Sequence, residues 1–299
     1  MVEKFKPLLS ATLEEKDFDK LDFPVYVSPK LDGIRALILK GQAVTRSLKP
    51  VRNKQIQNIL GKSTFEGLDG EIIVGSPEDK LAFRKTTTGV MAEDGETDFC
   101  FYVFDDFTNS GKFMHRYHRL IERVATLSHP RIKVVIHPQA LSLKDLLHWE
   151  SKYLELGFEG IMIRSLYGEY KLGRSTLNQG ILLKLKRFAD SEAVIVGFVE
   201  RLKNMNEQTR DELGYAERSS HKENMFPEGT LGAFRVKSEI FKEYFTIGSG
   251  LTDEERQHIW DNQEKYLGQT LKFKYFNYGN YDRPRFPTYQ GIRYLEDQL

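Results

Sequence analysis

A chain of 299 residues with 40% hydrophobic content can bury the core of one large or two ordinary domains. Its 44 lysines and arginines against 43 aspartates and glutamates leave a net charge of +1, so overall charge selects no partner and any basic surface must be a local patch. Cys100, the only cysteine, excludes internal disulfides and a four-cysteine zinc site. No stretch approaches the ~18 apolar residues of a membrane span, and Met1–Pro7 lacks the apolar run of a signal peptide, so the expectation is a soluble, intracellular protein.

Residues 1–23 are mixed and polar, and the chain shows no internal repeat. The first strand signal, Pro24-Val25-Tyr26-Val27, runs into Pro29-Lys30-Leu31-Asp32-Gly33-Ile34-Arg35, and a second, Ala36-Leu37-Ile38-Leu39, runs out of it. Gly33 permits a turn that other residues resist, which places Lys30 in a tight loop at the mouth of a sheet. A lysine there can become a nucleophile when nearby cations and desolvation free its lone pair. The same residues also suit an ordinary solvated hairpin. The basic segment 45–53, containing Arg46, comes next. A short helix is expected near 52–60, with Ile56, Ile59 and Leu60 on one face and Gly61 as its stop. Gly61-Lys62-Ser63 resembles the tail of a P-loop, but Ile56 stands where the earlier glycine is needed, which rules that motif out.

Leu68-Asp69-Gly70-Glu71-Ile72-Ile73-Val74 reads as a turn opening a buried strand, and 99–106 as a strand ending in acids. Residues 110–127 read as a helix with Phe113, Tyr117, Leu120, Ile121 and Val124 on one stripe. His115 and His118, without a carboxylate at helical spacing, read as surface or core residues rather than metal ligands. Val134-Val135-Ile136 is a short strand, and Ser142 caps a helix that Gly157 stops. Then come Glu159-Gly160-Ile161-Met162-Ile163-Arg164 and Ile181–Lys186. In the latter, Leu183 and Leu185 face one side of a strand and Lys184 and Lys186 the other. Two lysines so placed want an anionic partner, unless they guard an edge strand.

Near Asp190 the texture changes. Strands are expected at 193–199, 231–237, 244–247 and 271–276, and Thr252 with Glu255 makes a capping box for a helix through about Tyr266. Residues 202–229 are polar with no apolar period. Short strands plus one helix suit a small five-stranded barrel of the OB type.

Lys30-x-Asp-Gly-x-Arg35, Arg46, Asp69-Gly70-Glu71, Phe104-Asp105, Glu159-Gly160 and Lys184-x-Lys186 have the order and spacing of the covalent nucleotidyltransferases. The chain resembles an ATP-dependent DNA ligase, and most closely the minimal ligases of large DNA viruses and phages. The likeness runs from Lys6-Pro7-Leu8-Leu9 through Lys272-Phe273-Lys274-Tyr275-Phe276 to Arg285-Phe286-Pro287 and Gly291-Ile292-Arg293. It implies an α+β fold: a nucleotidyltransferase (adenylation) domain of antiparallel sheets with flanking helices over 1–189, then a C-terminal OB-fold β-barrel over 190–299. It implies sealing of 3′-hydroxyl/5′-phosphate nicks in duplex DNA, in replication, repair and recombination, through lysyl-AMP and adenylated-DNA intermediates.

The resemblance also assigns roles. Lys30 is the nucleophile towards the α-phosphate of ATP. Glu71 and Glu159 hold Mg2+ (or Mn2+), Arg35 and Arg46 bind ribose or phosphate, with Arg46 alternatively meeting the nick 5′-phosphate, and Phe104 stacks on adenine. Lys184 and Lys186 neutralise phosphate charge, and Arg285 and Arg293 of the second domain join only for attack on ATP. Residues 164–187 hold six cations, among them Arg164, Lys171 and Arg174, against Glu169 alone, which makes a DNA-facing patch. The segment Lys272–Tyr289 interleaves cations with seven aromatics, a second candidate DNA face. The polar insert 202–229 falls where viral ligases carry a hairpin that closes around the duplex, and Lys203, Arg218 and Lys222 are its candidate DNA contacts, although its acids outnumber its cations six to four. The expected partner is nicked duplex DNA encircled by a monomer, with no obligate protein partner and no membrane. The rivals are an RNA ligase, an mRNA-capping guanylyltransferase, or a catalytically silent OB-type DNA clamp.

Overall fold

A computed structural model describes residues 5–79, 81–276 and 282–293. The chain divides into two compact units, Met1–Lys186 and Arg187–Leu299. In the first, the order is β1 (Ala11–Thr12), β2 (Val25–Pro29), β3 (Ile34–Leu39), β4 (Gln42–Thr45), α1 (Lys54–Leu60), β5 (Leu68–Val74), α2 (Ala82–Met91) and β6 (Phe99–Asp106). It continues with α3 (Phe113–Leu127), β7 (Ile132–Val134), β8 (Gln139–Ala140), α4 (Leu143–Glu155), β9 (Gly160–Ser165) and β10 (Leu182–Lys186).

These strands make two five-stranded sheets, β1-β10-β9-β2-β8 and β4-β3-β5-β6-β7. All neighbours are antiparallel except β1 with β10 and β6 with β7. Val27, Leu146, Ile161, Ile163, Leu183 and Leu185 build one core against α4. Ile38, Ile72, Phe99, Phe101, Phe113 and Leu120 build the other.

The strands on either side of Lys30 therefore do not form a hairpin, because β2 belongs to one sheet and β3 to the other. The Lys30–Gly33 segment is a crossing between sheets. Gly33 is needed for space rather than for a left-handed turn: a Cβ there would lie 2.2 Å from the Ile72 carbonyl oxygen. Nor is β10 an edge strand, since it lies between β1 and β9.

Asn53 caps α1 by accepting from the Ile56 N–H at 3.0 Å, and Ser142 caps α4 by accepting from Asp145 at 3.2 Å. On α3 the fully buried stripe contains Arg116 in place of Ile121, which is 40% exposed. His115 and His118 lie on the exposed face.

The second unit contains β11 (Phe188–Asn204), β12 (Gln208–Arg210), β13 (Ala216–Arg218), β14 (Met225–Lys237), β15 (Phe245–Ile247), α5 (Asp253–Asp261), α6 (Gln263–Tyr266), β16 (Thr270–Phe276) and β17 (Arg285–Ile292). Phe188 and Ala189, expected in the first domain, pair here with Phe276 and Tyr275. Five strands form one OB-like sheet in the order β15-β14-β11-β16-β17. Its two edges meet just beyond β15, where Ser249 bridges Thr288 and its carbonyl accepts from the Tyr289 N–H at 2.9 Å. The Thr252–Glu255 capping box starts α5, but the helix breaks at Asn262 before α6.

The polar insert is no featureless loop. Long β11 and β14 extend into it, pairing Leu202 with Pro227 and Asn204 with Met225, and β12 and β13 form a separate hairpin. Of the aromatic-rich segment Lys272–Tyr289, the stretch 277–281 lies outside the described residues, as do residues 1–4 of the N-terminal segment.

Candidate active site

Three strand ends converge on one carboxylate. Lys30 follows β2, Glu159 precedes β9, and Lys186 ends β10. The register places Lys186 opposite Gly160, and the Lys30 N–H donates to the Gly160 carbonyl at 2.8 Å. Gly160 has φ +151°, and a Cβ there would lie 2.2 Å from the Leu185 carbonyl oxygen. Only glycine lets the three backbones approach this closely. As a result the Lys30 ammonium donates to Glu159 Oε2 at 2.6 Å, and Lys186 donates to Glu159 Oε1. The Glu159 side chain is 2% exposed. Burial pushes its carboxyl up, but the flanking Lys30 and Lys186 outweigh that and hold it below the usual carboxylate range. Burial, with repulsion from Lys30, pushes Lys186 down to about 8, and the same two causes lower Lys184.

Lys30 and Lys186 open onto a cavity of about 310 Å3. Arg46, Glu71, Lys184 and Arg174 line it as well, and so do Phe104, Val135, His137, Met162 and Arg164. Glu71 is half-buried, and burial raises its carboxyl to about 7 despite Lys30 and Arg35. Contacts sort the lining into two sets. The ammonium groups and Glu71 interact around Lys30. The Phe104 ring has the guanidiniums of Arg164 and Arg35 over it at 5.4 and 5.5 Å, Val135 bonds the neighbouring Val103 carbonyl, and His137 lies near Arg164. The cavity thus offers cations to an anionic group and a flat aromatic surface to a ring.

The structure brings together Lys30, Arg35, Arg46, Glu71, Phe104, Lys184 and Lys186 around this cavity, with Glu159 beneath the two lysines rather than lining it. Arg35 is committed elsewhere: it makes two hydrogen bonds to Asp69, at 2.9 and 2.6 Å, and one to the Leu8 carbonyl at 2.7 Å. Arg164 does not face outward as a DNA contact would. It is 4% exposed and donates to Asp105 at 2.6 Å, because Asp105, fully buried, is shared with Arg116 and needs both cations. Lys171 bonds the Arg174 carbonyl and Gln179 within its own loop, whereas Arg174 bonds the Ser10 carbonyl at 2.7 Å and ties that loop to the N-terminal segment.

In the second unit Lys203, Arg218 and Lys222 are exposed. Arg218 is held by the Asn206 carbonyl and by Gln208. Arg293 pairs with Glu192 within that unit, and the Arg285 guanidinium lies 5.6 Å from the Phe286 ring centre.

Residue-by-residue reading missed the partners of these groups: Asp69 and Tyr170, bonded to each other at 2.7 Å, and His137. Asp69 stood inside a quoted motif without a role, and nothing local marks Tyr170 or His137.

The ATP dependent DNA ligase domain matches residues 7–186, and the DNA ligase OB-like domain matches residues 225–293. A DNA ligase of Haemophilus influenzae is 25% identical over 272 residues, spanning 88% of this chain and 84% of that protein. Among solved structures, Chlorella virus DNA ligase-adenylate is 34% identical, covering 96% of this chain and 99% of that one with a TM-score of 0.55. A Lig E DNA ligase is 20% identical over 98% of this chain and 100% of its own, with a TM-score of 0.72, and supports the fold alone. No helix among the described residues is long and apolar enough to cross a membrane. Since one family domain spans 7–186 and a solved relative at 34% identity aligns nearly end to end, the chain belongs to the ATP-dependent DNA ligases.

Proposed function

We propose that this ligase seals nicks in duplex DNA with Lys30 as its nucleophile. The observation that carries the reading is the Lys30–Glu159–Lys186 cluster opening onto a cavity with cations around an aromatic surface. The Lys30 amine attacks the α-phosphorus of ATP; the N–P bond forms as the P–O bond to pyrophosphate breaks. Glu159 Oε2, 2.6 Å from Nζ, is placed to take the proton. Lys184 and Lys186 neutralise charge on the phosphate in the transition state, and Phe104 stacks on the base. AMP then passes to the 5′-phosphate of the nick, which Arg46 meets; it is exposed at the cavity, as Arg174 is too. Attack by the 3′-hydroxyl releases AMP.

A divalent metal fits this donor set. Glu71 is a cavity carboxyl that burial has left short of compensating charge, and Mg2+ takes one or two carboxylates while keeping several waters. Glu159 joins it only by exchanging a lysine. When bound, the metal supplies charge stabilisation at the phosphates.

Arg285 and Arg293 are proposed to engage only for the attack on ATP. Lys203, Arg218 and Lys222 are proposed to meet DNA phosphates as the insert closes around the duplex, with the protein acting as a monomer. The test is label transfer from α-labelled ATP: Lys30→Ala is expected to abolish protein labelling, and persistent labelling would assign the nucleophile elsewhere.

A further inference from the structure

His137 has no part in the chemistry above. It lies where the chain crosses between the sheets of the first unit: the Val135 N–H donates to the Val103 carbonyl at 2.8 Å, and the Val27 N–H to the Pro138 carbonyl at 2.9 Å. The residue is 4% exposed, with its ring edge-on to Phe113 and Tyr117 at 5.4 and 4.8 Å. Its Nδ1 is 2.8 Å from the Val135 carbonyl oxygen. A carbonyl only accepts, so the proton sits on Nδ1 and Nε2 carries a bare lone pair. Burial, with Arg164 nearby, pushes the ring down to about 3 and keeps it neutral.

Nε2 is buried without a hydrogen-bond partner. Among the buried side-chain polar atoms left unpartnered in the described residues, it alone belongs to a residue lining the cavity. A buried acceptor lacking a donor is costly unless something else supplies one. Of the donors near the ring, Arg164 is already committed to Asp105 and the Tyr117 hydroxyl to the Val135 carbonyl.

We propose that His137 reads position 6 of the purine, with Nε2 accepting a hydrogen bond from the 6-amino group of adenine. A 6-oxo purine presents an acceptor to the same lone pair and is repelled, so one atom both rewards ATP and penalises GTP. The inference rests on the ligase reading, in which Phe104 stacks on the base beside this histidine.

The experiment is protein labelling by α-labelled ATP, inosine triphosphate and purine riboside triphosphate, which lacks the 6-amino group, measured as kcat/KM on the full chain. Wild type is expected to favour ATP over inosine triphosphate by about 100-fold or more, and over the purine analogue by about 10-fold or more. His137→Leu is expected to lose about 10–100-fold with ATP while inosine triphosphate, no longer repelled, holds or improves, so that the preference collapses. His137→Gln, whose amide oxygen can replace Nε2 as acceptor, is expected to restore most of it. Equal wild-type use of ATP and the purine analogue overturns the proposal even where the leucine variant fails to fold, as does an unchanged preference in a folded His137→Leu. Absence of label from every nucleotide on wild type overturns the ligase reading itself.

Discussion

Glu71 and Glu159 are carboxyls of one site whose surroundings drive them apart. Glu159 lies between two ammonium groups and is held ionised, whereas Glu71, short of such partners, is raised by burial to about 7. A raised folded-state pKa means that the fold favours protonated Glu71. Its contribution to stability is fully present below about 4.5, the ordinary value, and is lost as pH rises through about 7. Glu71→Gln is therefore expected to raise the Tm of nucleotide-free, metal-free protein by a few °C at pH 7.5, and by much less at pH 5. Lys186, pushed down to about 8, stays mostly protonated over that interval and leaves the comparison clean. Thermal melts at the two pH values check this, and an equal shift at both would remove burial of Glu71 as the cause. The same substitution is expected to impair sealing at every Mg2+ concentration. At this scale Lys30, Arg35, Arg46, Glu71, Phe104, Lys184 and Lys186, which gather around the cavity, were legible, because each sits in a short local motif. Their pairing was not: Lys30 and Glu159 are 129 residues apart, and His137 has no motif around it.

Among the secondary-structure elements, periodicity found α3 and α4 but gave the wrong fifth member to the buried face of α3. A charged residue reads as solvent-facing, yet Arg116 is 1% exposed. It donates twice to Asp105, at 2.9 and 3.1 Å, and also to the Gly168 carbonyl. This pair ties α3 to the end of β6, and Arg164 ties β9 to the same carboxylate. Removing one cation leaves a fully buried aspartate with half its compensation. Arg116→Met is expected to cost about 3 kcal/mol of stability, and chemical denaturation measures it. A loss below about 0.5 kcal/mol would reduce the pair to a bystander. The helix α2 escaped sequence reading for a different reason. Its three consecutive threonines favour strand as much as helix, and Leu81 at its start gives no side-chain cap. The sheet assignment of β2 and β3 was equally illegible, since two strands joined by a short loop ordinarily pair, and only the separate cores they fill send them apart.

For the whole molecule, a net charge of +1 leaves no long-range pull on DNA, so affinity must come from a few local phosphate contacts. The insert carries exposed cations, Lys203, Arg218 and Lys222, on a frame of its own. Asn206, 7% exposed, donates to the Ser219 and His221 carbonyls and accepts from Asn224. Its own carbonyl holds Arg218. Composition showed only an acidic, aperiodic stretch here, because the frame is built from backbone carbonyls and the amides of Asn204, Asn206 and Asn224 rather than from an apolar stripe. Since the insert's bonds are mostly internal and the pairing of β11 with β16 runs from Phe188 to Val194, residues 204–227 can be replaced by a short turn without cutting into the sheet below. That deletion is expected to leave labelling by ATP within about twofold while weakening affinity for nicked duplex. Each lost phosphate contact lowers the slope of log affinity against log salt by about 0.9. Loss of Arg218 and Lys222 as phosphate contacts therefore predicts a slope shallower by about 2. Affinity titrations from low to physiological salt give both numbers. An unchanged slope with unchanged affinity would mean that those cations never touch DNA, and that the insert's ordered hairpin serves something other than grip.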